Sequence, residues 1–475
     1  MYAGLQFAYW LTLHGFVTVV SVLLYAITSH VRQQRRHPTA AIAWVLFILL
    51  MPYLALPAFL TFGSRKLPRP RGRPRLLLAG TGADAGAGGA GVPWPVRTAL
   101  SLGQAPPASY DSLHLHADGH AALEALWQTI AGARHSIDLC TFIIGRDAIG
   151  LELIERLCAK ARAGVRVRVL LDGLGSLMRS RPNLRPLRAA GAQFRLFVPP
   201  LHSPLKGRTN LRNHRKMLVA DATHETRRLW CGGRNLACEY FEGSRGEPPW
   251  LDLTFDLRGL AADQAADLFE HDWSFANGIA RAAAPPMAQD STATAASAET
   301  AQLIASGPDQ TDDTVYALLV TAAYRARRRI QLATPYFVPD AALLMALCMA
   351  ARRGVEVDLL LPARSNHPLS DMARRRALRA LAAAGGRIWL TPRMMHAKLA
   401  VFDDVLALSG SANLDSRSLF LNYELMMAFG DPAAVTGFAH WFAGEQAQSG
   451  AYVPNRPGFA SDVADGLVLW LGFQL

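Results

Sequence analysis

Little in this 475-residue chain suits it to disulfides or to a metal centre. Its five cysteines (Cys140, Cys158, Cys231, Cys238 and Cys348) are an odd number, with no Cys-x-x-Cys pair. No His/Cys cluster has zinc-like spacing, so the cysteines read as small buried thiols in a reducing compartment. Acidic residues are also scarce: 37 Asp and Glu stand against 49 Lys and Arg, a formal net charge of +12. A surplus of that size favours an anionic partner, either nucleic acid or a membrane rich in acidic lipid. Apolar residues make up 51% of the chain and the mean hydropathy is +0.13, which tilts the choice toward the membrane.

Formal charge is missing altogether from two stretches near the start. AYWLTLHGFVTVVSVLLYAI covers residues 8–27 and AAIAWVLFILLMPYLALPAFLTF covers 40–62. Each reaches the roughly 20 residues a helix needs to cross a bilayer. The first lacks the charged start and small-residue cleavage site of a signal peptide, and a second span follows at once. Residues 1–62 are therefore expected to form a transmembrane helix hairpin. Arg32, Arg35 and Arg36 lie in the connection, while Arg65, Lys66, Arg69, Arg71, Arg73 and Arg75 follow the second stretch. The richer side marks the cytoplasm, which places the large C-terminal part there.

Residues 63–107 are basic and rich in Gly, Ala and Pro, and residues 281–300 are a second low-complexity stretch; both read as linkers. They bound two blocks, 108–280 and 301–450, followed by an apolar tail at 451–475. The blocks resemble each other. ARHSIDLCTFII and RRRIQLATPYFV are matching strands, each followed by a helix that ends at a glycine and then by a second strand, VRVRVLLD or VEVDLLLP. The offset between matched positions shrinks from 193 residues at Ile137/Ile330 to 182 at His214/His396, as in a duplication whose first copy gained insertions. Strand, helix, strand in short order implies an α/β layered fold in each half.

The chemistry concentrates in a repeated constellation. NHRKMLVAD at 213–221 and MHAKLAVFD at 395–403 align His214, Lys216 and Asp221 with His396, Lys398 and Asp403. Read as strands, they present His and Lys on one face, because alternate side chains share a face. Each is followed by a glycine-rich turn and an asparagine, CGGRN to Asn235 and SGSAN to Asn413. A single His-x-Lys on a strand means little; two copies of the whole pattern point to a site assembled from both halves.

This pattern resembles the HKD motif of the phospholipase D superfamily. GSANLDSRSLFLNYE, VRVLLDGLGS, PWLDLTFDLRG, TPYFVPD and the apolar N-terminal pair further resemble the bacterial cardiolipin synthases, over essentially the whole chain. The resemblance implies two similar phospholipase D-like α/β sandwich domains behind the membrane hairpin, with one active site on a pseudo-twofold axis. One histidine would attack a phosphodiester and the other would protonate the departing alkoxide. Lys216, Asn235, Lys398 and Asn413 would hold the phosphoryl oxygens. Asp252 and Glu424 match the family's histidine-orienting acids, with Glu239 an alternative to Asp252. Asp221 and Asp403 belong to the catalytic motif, although a role in bonding turn backbone fits them equally. The scheme needs no cofactor and no metal.

The substrates implied are two phosphatidylglycerol molecules, giving cardiolipin and glycerol at the bacterial inner membrane. Alternatives are a hydrolytic phospholipase D, a transferase with phosphatidylethanolamine as donor and, more remotely, a nuclease; no nucleic-acid partner is expected. A non-catalytic membrane scaffold is disfavoured because both motif copies are complete. The basic runs RARRRI and ARRRALR could attract acidic headgroups. The first copy departs from the second in one respect: ten residues separate Asp221 from Cys231, and ATHETRRLW is expected to lengthen a hairpin.

Overall fold

The computed structural model describes residues 2–31, 38–62, 92–178, 182–198, 211–244, 246–278, 299–310 and 312–455, with a few isolated positions beyond. The residues expected to form most of the first linker, nearly all of the second and most of the C-terminal tail lie outside these. So do the basic residues used to orient the hairpin. The chain divides into an N-terminal helical unit and a large α/β unit.

In the N-terminal unit, Tyr2–Val31 is one helix. The second expected span is not one helix but two, Pro38–Leu50 and Pro52–Phe62. Pro52 has no N–H to continue the ladder, and its ring crowds the preceding turn, so the helix stops at Met51. Tyr25, Ile48, Ala55 and Phe59 form a small core, with the Tyr25 and Phe59 rings 5.0 Å apart. Among the described residues no helix is long and apolar enough to cross a membrane. In the first helix the hydroxyls of Thr12, Thr18 and Ser21 donate back to helix carbonyls, and in the second stretch Pro52 divides the helix.

The α/β unit holds two sheets with the same strand order. The first runs Ser112–His116, Thr254–Arg258, Arg228–Gly232, Met217–Ala220, Ser136–Thr141, Arg166–Leu171, Gln193–Leu196. The second runs Thr300–Ser306, Asn422–Phe429, Leu406–Gly410, Leu399–Phe402, Arg329–Ala333, Glu356–Pro362, Arg387–Thr391, with short strands added at its edges. In each, the last three strands are parallel and the motif strand is antiparallel to the first of them. Ser136–Thr141 is buried throughout, as a strand covered on both faces should be.

The expected helices follow, Ala148–Arg162 and Ala341–Arg352. Their N-caps Asp147 and Asp340 accept from Gly150 and Leu343 N–H groups. Gly164 and Gly354, both at φ +88°, provide the left-handed residue that ends each. The first linker ends earlier than expected, because Trp94–Ser101 is a helix with proline in its first turn.

Helices Ala261–Ala276 and Pro432–Ala447 join the halves. Each packs on its own sheet and also touches a strand of the other, Thr300–Ser306 or Ser112–His116. Phe255, Phe429 and Phe438 stack at this junction, with Phe255 and Phe429 5.5 Å apart and Phe429 and Phe438 5.1 Å apart.

Candidate active site

The two His-x-Lys segments do not lie within strands, as the sequence reading supposed. They form extended lead-ins, and the motif strands begin one residue later, at Met217 and Leu399. Here the backbone pairs with the opposite half instead of with its own sheet. Arg212 and Asn213 pair in parallel with Asn422 and Tyr423, and the His214 N–H donates to Tyr423 O at 2.9 Å. In the other lead-in, Leu251 N–H donates to Met394 O at 2.8 Å and His396 N–H to Leu251 O at 2.5 Å. Tyr423 and Leu251 immediately precede the two candidate acids, so this stitching sets each histidine beside a carboxylate from the other half.

The contacts are direct. His214 Nδ1 lies 3.0 and 3.1 Å from the two carboxylate oxygens of Glu424. His396 Nδ1 lies 2.8 Å from Asp252 Oδ2. A buried carboxylate accepting from Nδ1–H leaves the Nε2 lone pair pointing away, which is the tautomer a nucleophile or general base requires. Ser411 Oγ donates to Glu424 at 2.6 Å and Asn422 Nδ2 at 3.2 Å. Asp252 Oδ1 accepts from Leu253 N–H at 2.8 Å.

Lys216 Nζ donates to the His214 carbonyl at 2.8 Å, and Lys398 donates to the His396 carbonyl. Lys398 Nζ also lies 2.9 Å from His396 Nδ1. With Asp252 facing the same nitrogen, Nδ1–H donates to the carboxylate and Lys398 donates to the carbonyl.

Burial dominates the electrostatics of these groups. It holds His396 down to about 3, helped by the Lys398 charge and opposed by Asp252. It also lowers His214, against the opposing pull of Glu424. Both imidazoles are therefore neutral near pH 7. Burial brings Lys216 down to about 8 and Lys398 to about 7, with Glu424 and Asp252 opposing. Asp252 and Glu424 stay ionised because the facing histidines and lysines outweigh their own desolvation. The lysines feel both acids, and His214 feels both lysines, so the groups of the two halves occupy one shared electrostatic site.

A pH profile follows. The lysines must be protonated to hold a phosphate, and in the free protein they lose protons as pH rises through about 7 to 8. Because kcat/KM reports the free enzyme, it should fall on the alkaline side in that range, as a coupled pair. A bound phosphate monoanion favours the ammonium form, so the limb in kcat should lie at higher pH. Profiles in detergent micelles that stay flat through pH 9 would exclude this role for the lysines.

Asn235 and Asn413 are buried, each with an amide oxygen that makes no hydrogen bond among the described residues. Asn235 Nδ2 donates to Tyr240 Oη at 2.8 Å. Asp221 and Asp403, grouped with the catalytic motif from the sequence, do not join the histidines. They sit past the far ends of the motif strands, on the order of 20 Å along the chain at ~3.3 Å per residue. Both adopt left-handed backbone, φ +51° and +50°. The Asp221 carboxylate accepts from the N–H groups of Arg134, His135 and Ser136, at 2.6–3.0 Å. Asp403 does the same for Arg327, Arg328 and Arg329. Each ties the start of the central parallel strand to the end of the motif strand. Asp221→Asn should cost about 2 kcal/mol of stability, through loss of charge-assisted bonds, while kcat of the folded fraction is unchanged. Thermal melts combined with specific activity would read both.

Sequence reasoning missed two buried arginines. Arg215 donates to the Glu424 carbonyl at 3.1 Å and pairs with buried Asp272. Arg234 donates to the Asp252 carbonyl at 2.7 Å and to Tyr240 O, Ala117 O, His116 O and Thr254 Oγ1. Each thus braces the backbone of one histidine-orienting acid. The signal was present: the variable position of each motif is Arg in the first copy and Ala, Ala397 or Ala412, in the second. The rings beside the histidines were missed too, with Phe142 5.2 Å from His214, and Tyr240 and Trp250 5.1 and 5.8 Å from His396.

The basic run ARRRALR is already engaged. Arg375, Arg376 and Arg379 pair with Asp462 and Asp465, and Arg374 donates to the Pro362 and Ala363 carbonyls. In the other run Arg328 and Arg329 pair with Asp404. All five cysteines are free thiols. Among the described residues no group of His, Cys, Asp or Glu could hold a metal.

Two facing His–carboxylate pairs on duplicated α/β sheets define a phospholipase D-like class, and comparison with known proteins agrees. The family model described as "Cardiolipin synthase, PLD-like domain" matches residues 126–273 and 319–445. A "Phospholipase_D-nuclease N-terminal" model matches residues 19–64. Cardiolipin synthase 1 of Bacillus anthracis is 30% identical over 436 residues, 88% of this chain and 85% of that protein. Cardiolipin synthase A of Escherichia coli strain K12 / DH10B is 31% identical over 439 residues, 89% and 88% of the two chains. Among solved structures, phosphatidylserine synthase of Haemophilus influenzae Rd KW20 has the same fold, with a TM-score of 0.62 at 13% identity, covering 81% of this chain and all of that one. The chain belongs to the cardiolipin synthase family of phospholipase D-like proteins.

Proposed function

We propose that the protein is a phosphatidyltransferase that joins two phosphatidylglycerol molecules into cardiolipin and releases glycerol. The observation that carries this reading is the crossed pairing of His214 with Glu424 and His396 with Asp252. Each half supplies one imidazole and the acid that orients the other. Nε2 of one histidine attacks the donor phosphorus and the P–O bond to glycerol breaks, while the other histidine, drawn into its imidazolium form by the bound phosphate and its own carboxylate, passes its Nε2 proton to the departing oxygen. The second phosphatidylglycerol then returns a proton to that histidine, its hydroxyl oxygen bonds to phosphorus, and the P–N bond breaks. Lys216 and Lys398 offset charge on the phosphoryl oxygens in both steps, with the Asn235 and Asn413 amides as further donors.

Blocks 108–280 and 301–450 are read as the two catalytic domains. The N-terminal unit is read as the attachment to the bacterial inner membrane, with the catalytic domains in the cytoplasm. Its outward side chains support this: Trp10, Phe16, Val19, Ile27 and Leu50 are each more than half exposed, a surface suited to lipid. The test is to supply labelled phosphatidylglycerol to membranes holding the protein and separate the products. Cardiolipin with stoichiometric glycerol supports the transferase. Phosphatidic acid alone would make the protein a hydrolase, and no product would turn attention to phosphatidylethanolamine as donor.

A further inference from the structure

Both histidines are bordered by aromatic rings, but the two halves supply them differently. Phe142 stands just past the central strand Ser136–Thr141. Its ring meets His214 edge to face, with centroids 5.2 Å apart at 71°, and the Lys216 ammonium lies 5.6 Å over its centre. The matching residue of the second half, 193 positions on, is Pro335. Beside His396 the ring comes instead from Trp250, two residues before Asp252 and 5.8 Å from the imidazole. Its counterpart before Glu424 is Asn422. Phe142 and Trp250 are both partly exposed, and the His214 and His396 side chains only 12% and 5%. Each ring therefore walls the opening through which its imidazole meets solvent.

Both walls are fixed in place. A methyl group at Gly175 would come 2.6 Å from the Phe142 carbonyl oxygen and 2.9 Å from its ring, so the ring rests on bare backbone that only glycine provides. Gly175 is itself held by its N–H bond to Asp172, at 2.8 Å. The Trp250 ring packs against Tyr240, centroids 4.7 Å apart, and the Trp250 backbone N–H donates to Glu239 O at 2.9 Å. Rings in such contact with an imidazole leave no gap for a water between them. They also offer none of the two to four polar partners that an ordered water needs.

We infer that Phe142 and Trp250 set the fate of the phosphohistidine: they keep water from it, so that a lipid hydroxyl takes the phosphatidyl group. The inference rests on the phosphatidyl-transfer reading and deepens it. At the intermediate, water and the second phosphatidylglycerol compete for the same step. The attacking oxygen bonds to phosphorus, its proton passes to Nε2 of the free histidine, and the P–N bond breaks. Water gives phosphatidic acid and the lipid gives cardiolipin. A water poised for attack would have to rest against an aromatic wall with hydrogen bonds unmade. The acceptor lipid brings its own apolar body, which covers the rings and gains from their burial. One ring from each half guards the site whichever histidine carries the phosphatidyl group.

The test supplies labelled phosphatidylglycerol to the full chain in mixed detergent micelles and reads the ratio of phosphatidic acid to cardiolipin. Phe142→Ala and Trp250→Ala should each raise it at least about tenfold, since either opens room for a water of ~30 Å³ beside an imidazole. Phe142→Leu and Trp250→Phe keep an apolar wall and should stay within about threefold of the unaltered protein. The ratio is decided after the intermediate forms, so loss of folded protein or a slower first step leaves it unmoved. Should an alanine variant be inactive, Phe142→Val or Trp250→Val takes its place, with the same rise expected. An unchanged ratio on truncating either ring, or an equal rise in the Leu and Phe replacements, overturns the inference while phosphatidyl transfer stands. Phosphatidic acid alone from the unaltered protein overturns the transfer reading and this inference with it.

Discussion

Alanine at His396 should reduce cardiolipin formation by at least about 10⁴-fold, and alanine at His214 should do the same. Neither half contains both groups that the chemistry needs. Without the attacking imidazole no covalent intermediate forms, and without the other imidazole glycerol must leave as an unprotonated alkoxide. The two losses should not multiply, because the histidines act on one reaction coordinate, so the double variant should be about as slow as either single one. The variants should differ in stability. Glu424 keeps Ser411 and Asn422 as donors when His214 is removed. Among the described residues Asp252 keeps only the Leu253 N–H as a direct hydrogen bond when His396 is removed, so His396→Ala should melt lower. Turnover of labelled phosphatidylglycerol, beside a melting curve for each variant, measures both effects. Retention of more than a tenth of the activity in either variant would remove that histidine from the mechanism.

Much of this architecture was legible because it is periodic and duplicated. The offset between halves, the glycine-closed helices and the repeated His-x-Lys all reappear as two sheets of identical strand order. The longer first hairpin is present too, spanning the turn between Ala220 and Arg228. What could not be read was anything that depends on how the halves meet. Nothing in residue spacing tells whether Asp252 serves the histidine of its own half or the other one; the crossed pairing at Leu251 and Tyr423 decides it.

The same blindness placed His214 and His396 inside strands. A period of two marks extended chain, but it does not say which neighbour the chain pairs with, and these segments leave their own sheet to pair across the junction. Asp221 and Asp403 were ambiguous for a different reason. An aspartate at a strand end is equally able to bind substrate or to cap backbone, and only the three converging N–H groups distinguish the two. Arg215 and Arg234 looked like variable positions, whereas they are the buried props beneath the two acids. In the N-terminal stretch apolar composition was read as continuous length, and Pro52 interrupts it.

The two orienting acids should respond unequally to loss of charge, and this is the sharper test of the site. Asp252→Asn should lower kcat by roughly 10³- to 10⁴-fold, the scale expected when an orienting acid is replaced by its amide. The reason is directional. Asp252 Oδ1 accepts from Leu253 N–H and Oδ2 faces His396 Nδ1, so asparagine will put its oxygen toward Leu253 and its NH₂ toward His396. That NH₂ demands a lone pair on Nδ1 and drives the ring proton to Nε2, where attack on phosphorus is blocked. Lys398 also loses its principal opposing charge, so its ammonium form is further disfavoured. Glu424→Gln should cost only about 10- to 100-fold. Both Glu424 oxygens lie within reach of His214 Nδ1, so glutamine can still turn its oxygen to the histidine. The Ser411 hydroxyl can rotate to accept from the amide instead of donating to it. Single-turnover and steady-state rates on phosphatidylglycerol for the two variants decide the matter. A loss in Glu424→Gln equal to or greater than that in Asp252→Asn would mean that charge matters more than tautomer at these acids. His214 would then be the imidazole whose protonation limits the reaction.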